Sequence, residues 1–280
     1  MANRPNPLSV AGWAWRGAFA VFGRPAIWLP FLIVAAFQFV VLLLLTQFHQ
    51  KPLLPIALPL VRLLGGEGAT HYPNLYYALP TMFFRANLAI DAVIAALAGG
   101  AATVYFARAF GFEQMQHPWT RAFKTAHWLI LSSVILLALI IATSRLESLV
   151  PRQAYLNDAM IRWGTRAVML GIFVTLQSFL IYMTAWIVLM GQNFLTALRD
   201  SIRVTARTFI PTVLVVGVSA VIFYPFSYLS SRMDLIINKL SPELVAGLLS
   251  LQIVFQILIT FILVGAIVRL FMWRVEAARG

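Results

Sequence analysis

Asp91 is the only acidic residue set well inside an apolar run of this chain, and Asn87 stands four positions before it on the same helical face. A carboxylate within a membrane is costly unless paired or protonated, so it is a candidate site for a proton or a cation. The alternative is a hydrated Asp near the interface, paired with Arg85 or Arg145. Counted from the outer end of its apolar run, Asp91 is expected at shallow depth, roughly 7.5 Å at 1.5 Å per residue. That depth favours the pairing. A second set is Gln252, Gln256 and Thr260, at i, i+4 and i+8. They form one polar stripe that must face other helices or a water-filled cavity, with Gln177, Ser178 and Thr184 as candidate partners. Interhelical hydrogen bonding and a polar path for a solute both fit it. A third set, Arg199, Arg203 and Arg207, repeats the same spacing. Three guanidinium groups on one ridge suit an anionic headgroup or a phosphate. Anchoring a span and setting its orientation is the simpler role. Arg121 and Lys124 occupy a comparable position earlier in the chain.

Other chemistry has no foothold. There is no cysteine, so disulfides, thiolate metal sites and cysteine nucleophiles are excluded. His49, His71, His117 and His127 lack HxxH or HExxH spacing and fall on opposite sides of the apolar runs, which argues against a single metal centre. No Walker loop, dinucleotide turn or nucleophile elbow is present. The expectation is a protein without catalytic machinery, cofactor or metal. A net charge of +12 would suggest nucleic acid in a soluble chain. Here the charges sit at the edges of apolar runs, so anionic headgroups are the natural partner and nucleic acid is not.

The elements that must position these residues follow from composition. Hydrophobic residues make up 61% of 280 positions and charged residues 11%, with a mean hydropathy of +0.86. Water cannot be the main solvent of such a chain. A hydrocarbon core about 30 Å thick needs roughly 20 apolar residues in helical form. Six windows qualify: Ala26 to Phe48, Ala86 to Phe110, His127 to Ser144, Ala167 to Met190, Phe209 to Ser231 and Leu244 to Phe271. Alternating barrel strands would be about half as long. The expected fold is an all-α integral membrane protein with six transmembrane helices in a single polytopic domain over residues 1–280. The amino-terminal stretch is broken by Gly12, Arg16, Gly17 and Arg24, unlike a secretory signal, so the first span is expected to be retained. With the amino terminus in the cytoplasm, 12 Lys and Arg fall on that side and 9 on the other. The positive-inside rule then places both termini in the cytoplasm, although the basic loop from Arg145 to Arg166 lies outside.

A short phrase recurs before the first, third and fifth windows: Trp15 to Phe19, Trp119 to Phe123 and Phe194 to Leu198. Each is an aromatic, two variable residues, alanine and a large apolar residue. The pattern predicts three repeats, about 8–110, 117–190 and 193–275, each an interfacial amphipathic helix followed by a helix pair. In the third, Phe194, Leu195, Leu198, Ile202, Ala206 and Phe209 share one side beside the arginine ridge, and Asn193 is placed to cap the start. Such a helix lies along the membrane surface with its apolar side down. Ala92, Ala96 and Gly100, with Gly99 adjacent, form a small-residue ridge suited to close helix packing. Leu53 to Leu64, interrupted by prolines, is too short to span and reads as interfacial or re-entrant.

The stretch Ile187-Val188-Leu189-Met190-Gly191-Gln192-Asn193, continuing to Ala197-Leu198-Arg199-Asp200-Ser201, resembles the signature of a bacterial membrane-domain superfamily. That group includes the membrane domain attached to some glycerophosphodiester phosphodiesterases and many standalone inner-membrane proteins. The likeness is sharpest from about Thr175 to Pro225, and it departs at Met190-Gly191, where an acidic residue is common. It implies a six-helix plan and a bacterial inner membrane. These residues hold no phosphodiesterase catalytic domain, so that activity is not implied. The leading expectation is a non-enzymatic scaffold or accessory subunit that contacts anionic lipid and packs against another membrane protein or a second copy of itself. The alternative is a small transporter or lipid-handling protein whose polar path runs through Asp91 and the glutamine stripe. A membrane enzyme assembled from dispersed residues ranks third.

Overall fold

The computed structural model describes residues 6–112, 117–146, 159–230, 233–239 and 241–276, and every regular element among them is helical. Six helical rods are long and apolar enough to cross a membrane: Pro25–Thr46, Asn74–Ala109, Ala126–Thr143, Trp163–Met190, Phe209–Phe226 and Leu244–Val275. They coincide with the six apolar windows. The second departs most, because it starts at Asn74 instead of Ala86. Leu75, Leu79, Met82 and Phe83 give that extension a packed stripe at helical spacing, and tertiary packing carries the helix through Pro80 and Arg85.

In chain order the helices are α1 (Pro7–Ala20), α2 (Pro25–Thr46), α3 (Leu54–Gly65), α4 (Asn74–Ile90) and α5 (Ala96–Ala109). They continue with α6 (Pro118–Lys124), α7 (Ala126–Leu146), α8 (Ala159–Leu180), α9 (Met183–Met190) and α10 (Phe194–Arg207). The remainder are α11 (Phe209–Ser230), α12 (Met233–Lys239) and α13 (Leu244–Glu276). A wide π-helical turn, Asp91–Ala95, joins α4 to α5 within one rod. The expected short helices are present as α1, α6 and α10, each just before an odd-numbered rod. Six crossings bring these three helices and the end of α13 to one side, here the terminal face. Helices α3 and α12 lie on the opposite, distal face.

Two packed regions stack along the bundle. The terminal half joins α1, α2, α5, α9 and α13 around Phe261, whose ring stacks on Trp28 at 4.2 Å and meets Phe106 at 5.0 Å and Phe31 at 5.5 Å. The distal half joins α2, α3, α4, α12 and the start of α13. Lipid tails are as apolar as these side chains, so close packing must hold the helices together. Glycines mark the tightest crossings. A Cβ at Gly100 would lie 2.6 Å from Leu129 Cδ1, and one at Gly265 would lie 2.7 Å from Phe106 Cε1. The small-residue ridge is thus a contact at Gly100, while Gly99 has no such neighbour within 4 Å.

Candidate functional site

The site is built around a break in the fourth rod. Helix α8 gives way to α9 at Ile181 and Tyr182, and the carbonyls just before that turn accept from side chains of α10. Ser201 Oγ donates to the Phe179 carbonyl at 2.6 Å, and Thr205 Oγ1 to the Ser178 carbonyl at 2.8 Å. The Tyr182 hydroxyl pairs with Thr212 at 2.7 Å, and Thr212 with Thr208 at 3.2 Å. A backbone break within an apolar bundle needs such partners, and hydroxyls on a neighbouring helix supply them. These bonds fix the rotation of α10. Asn193 caps its start as expected, accepting from the Thr196 amide at 3.0 Å. The face packed on the protein is Phe194, Ala197, Ser201, Val204 and Thr205. Of the apolar side read from the sequence, Phe194 packs on the protein, while Leu195 and Ile202 stay exposed at 73% and 44% and form a strip directed away from it.

The third sector of α10 carries the arginines. Arg203 and Arg207 meet Arg274 of α13 around a cleft of about 380 Å³, walled by the apolar Trp186, Met190 and Val275. Asp200, the one acid in the lining, is held by Gln192 Nε2 at 2.9 Å. Three guanidinium groups against one carboxylate leave the cleft positive. Trp186 contributes to the wall, and its indole nitrogen is buried without a hydrogen-bond partner. Arg207 and Arg274 also border a wider opening of about 770 Å³ between α1, the α10–α11 elbow and α13. Beyond Trp273 lies a third recess of about 320 Å³ with Arg24 and Arg269, where the Arg269 guanidinium stacks over Trp13 at 4.1 Å. All three open around the end of α13. Positive charge beside apolar wall is the chemistry that holds an anionic amphiphile.

The other candidate residues separate. Arg199 is exposed and does not line the cleft. Arg121 caps a helix end. Its Nε donates to the Val188 carbonyl at 2.7 Å and its Nη2 to the Leu189 carbonyl at 3.4 Å. It therefore satisfies the last carbonyls of α9 and opposes the negative end of that helix. Lys124 is exposed at the end of α6.

Asp91 is not shallow. Ser133 Oγ donates to the Asp91 carbonyl at 2.9 Å, and Ser133 sits in the middle of the 18-residue rod Ala126–Thr143. That bond sets Asp91 level with the middle of that rod, and its own rod continues well beyond it to Asn74. Arg85 is committed elsewhere, donating to the Leu64 carbonyl at 2.5 Å. The side chain of Arg145 lies outside the described residues, as does most of the Arg145–Arg166 loop. Gln177 lines a narrow crevice between α7 and α8 with Thr143, and Thr184 is half-buried on α9. Gln252, Gln256 and Thr260 are half-buried, next to the buried Leu249 and Ile253 and turned from the exposed Leu251, Val254 and Phe255. Cysteines placed at Gln252 and Gln256 should therefore resist acyl-chain photolabels that mark Val254 strongly. Equal labelling of all three would reject an inward stripe.

The chain matches no protein-family model, no curated protein and no solved structure. Its chemistry is read from its own residues.

Sequence reasoning missed Arg274, Trp186 and Asp200. Arg274 is 67 positions from Arg207, and only the fold brings the end of α13 against α10. The buried hydroxyls of Tyr182, Ser201, Thr205 and Thr212 were also silent, although Ser201 and Thr205 at i, i+4 are a legible helical pair.

Proposed function

We propose that this protein is a non-enzymatic, multi-pass protein of a bacterial cytoplasmic membrane. It holds the headgroup of an anionic lipid in the Arg203–Arg207–Arg274 cleft, and it serves as a scaffold or accessory subunit. The carrying observation is the convergence of three arginines from two helices over an apolar wall. On this reading α10 is an interfacial amphipathic helix, with Leu195 and Ile202 toward the acyl chains and its arginines at the phosphates. The terminal face is cytoplasmic, the side with more Lys and Arg. The sequence resemblance points the same way, to kinship with the membrane domain that accompanies some glycerophosphodiester phosphodiesterases. A second reading, lipid handling, is favoured by the wider opening that shares Arg207 and Arg274 with the cleft. Release in mild detergent followed by native mass spectrometry tests both. A stoichiometric protein partner supports the scaffold, while an isolated chain with one enriched anionic lipid supports lipid handling. Neutral and anionic lipids retained in membrane proportion would reject headgroup binding.

Orientation has its own test. Reporter fusions after Arg24 and Gln192 should report the cytoplasm, and those at Gly66 and Ser241 should not. A periplasmic signal at Gln192 would invert the assignment. Fusions at Gln116, Asn157 and Gly280 carry the same expectation (inside, outside and inside), though these positions lie outside the described residues.

A further inference from the structure

We infer that Asp91 is a reversible proton-binding site at the middle of the membrane, separate from the headgroup cleft. Three observations meet there. The Ser133 bond sets the level of Asp91 at mid-rod, and no described side chain bonds to or ion-pairs with its carboxylate. Asn87, one turn away, has its Oδ1 buried without a partner. The helix widens to a π turn at Asp91 itself, a distortion frequent at functional positions.

An unpaired carboxylate at this depth is resolved by taking up a proton, since burying the bare charge costs far more. A protonated carboxyl is also a donor, whereas a carboxylate only accepts. The proton thus supplies what Asn87 Oδ1 lacks, one turn back on the same face.

The surrounding elements offer no substitute charge. Helix α2, packed on the turn, carries no ionisable residue; its one amide side chain, Gln38, is 1% exposed with Nε2 unpartnered. Helix α7 carries His127, more than a turn from Ser133 toward the terminal face, and Arg145 at its far end. Within the rod itself, α4 has Tyr76, Tyr77 and Arg85 toward the distal face, and α5 has Tyr105 and Arg108 toward the terminal face. Arg85 is held by the Leu64 carbonyl.

Dicyclohexylcarbodiimide, an apolar reagent that adds to protonated carboxyls, tests the site in the full chain reconstituted in lipid nanodiscs. Peptide mass spectrometry should find the adduct on Asp91, with a yield that falls about tenfold per pH unit on its alkaline limb. Asp91→Glu should keep the reaction and Asp91→Asn abolish it. An infrared carbonyl band of a protonated carboxyl, present in the native chain and missing in Asp91→Asn, reads the same proton without any reagent entering. Sodium should leave the adduct yield unchanged. The inference is overturned if neither adduct nor band appears at any pH, or if the yield does not change with pH. It is equally overturned if sodium protects as fully as alkali, which would make the site one for a metal cation.

Discussion

Replacing Arg203, Arg207 and Arg274 together by glutamine should lower the affinity for anionic lipid on the order of a hundredfold, since each basic residue near an anionic surface contributes about 1 kcal/mol. The effect should shrink in high salt, where exposed charges are screened. Arg199→Gln is the matched control. It removes an arginine from the same helix but from outside the cleft, and should leave specific retention nearly intact. Arg207→Lys separates two modes of binding: a point charge suffices for a diffuse surface attraction, but a planar fork is needed to grip a phosphate bidentately. Retention is measured by native mass spectrometry on protein whose orientation is verified, because loss of arginine can reorient spans. Equal retention by the native and triple-glutamine chains at both salt concentrations would leave these arginines a topological role only.

Gly265→Ala should destabilise the bundle by about 1–3 kcal/mol, the usual cost of overpacking a filled core. Its new methyl would sit 2.7 Å from Phe106 Cε1 and 2.8 Å from Ala18 Cβ. Neither can retreat easily, because Phe106 is fully buried against Phe261 and Ala18 is fully buried on α1. Gly99→Ala is the counterpart, with nothing within 4 Å of the added carbon. It should be neutral or slightly stabilising, since alanine favours a helix over glycine by about 1 kcal/mol. Thermal unfolding in one detergent compares the two directly. If Gly99→Ala proved as harmful as Gly265→Ala, close approach at Gly265 would not be what holds the terminal half together.

The rods were legible because about 20 apolar residues in a row have few alternatives. The start of the second rod was not, because Leu75, Leu79, Met82 and Phe83 are interrupted by Tyr76, Tyr77, Pro80 and Thr81 and gain their helix from packing. Asp91 was misplaced for the same reason: depth was counted from an apolar edge that is not the end of its rod. On α10 the cap at Asn193 and the arginine spacing were readable locally. Its packed face was not, since serine and threonine read as surface until the carbonyls of Ser178 and Phe179 are seen opposite them. Arg121 looks like any interfacial cation in sequence, and its caps on Val188 and Leu189 depend on a helix more than 60 residues away.

Helix α1 packs chiefly against α13, which follows every other described helix in the chain. A ribosome delivers the segments in order, so α1 and the first spans enter the bilayer long before their main neighbour exists. During that interval Gly17, Ala18 and the aromatic pocket of Trp28, Phe31 and Phe106 wait without the ring of Phe261 and the stem of Arg269. The terminal half is therefore completed only when α13 arrives. Until then the nascent protein offers the insertion machinery and membrane proteases a half-finished groove, and Arg203 and Arg207 have no cleft to share.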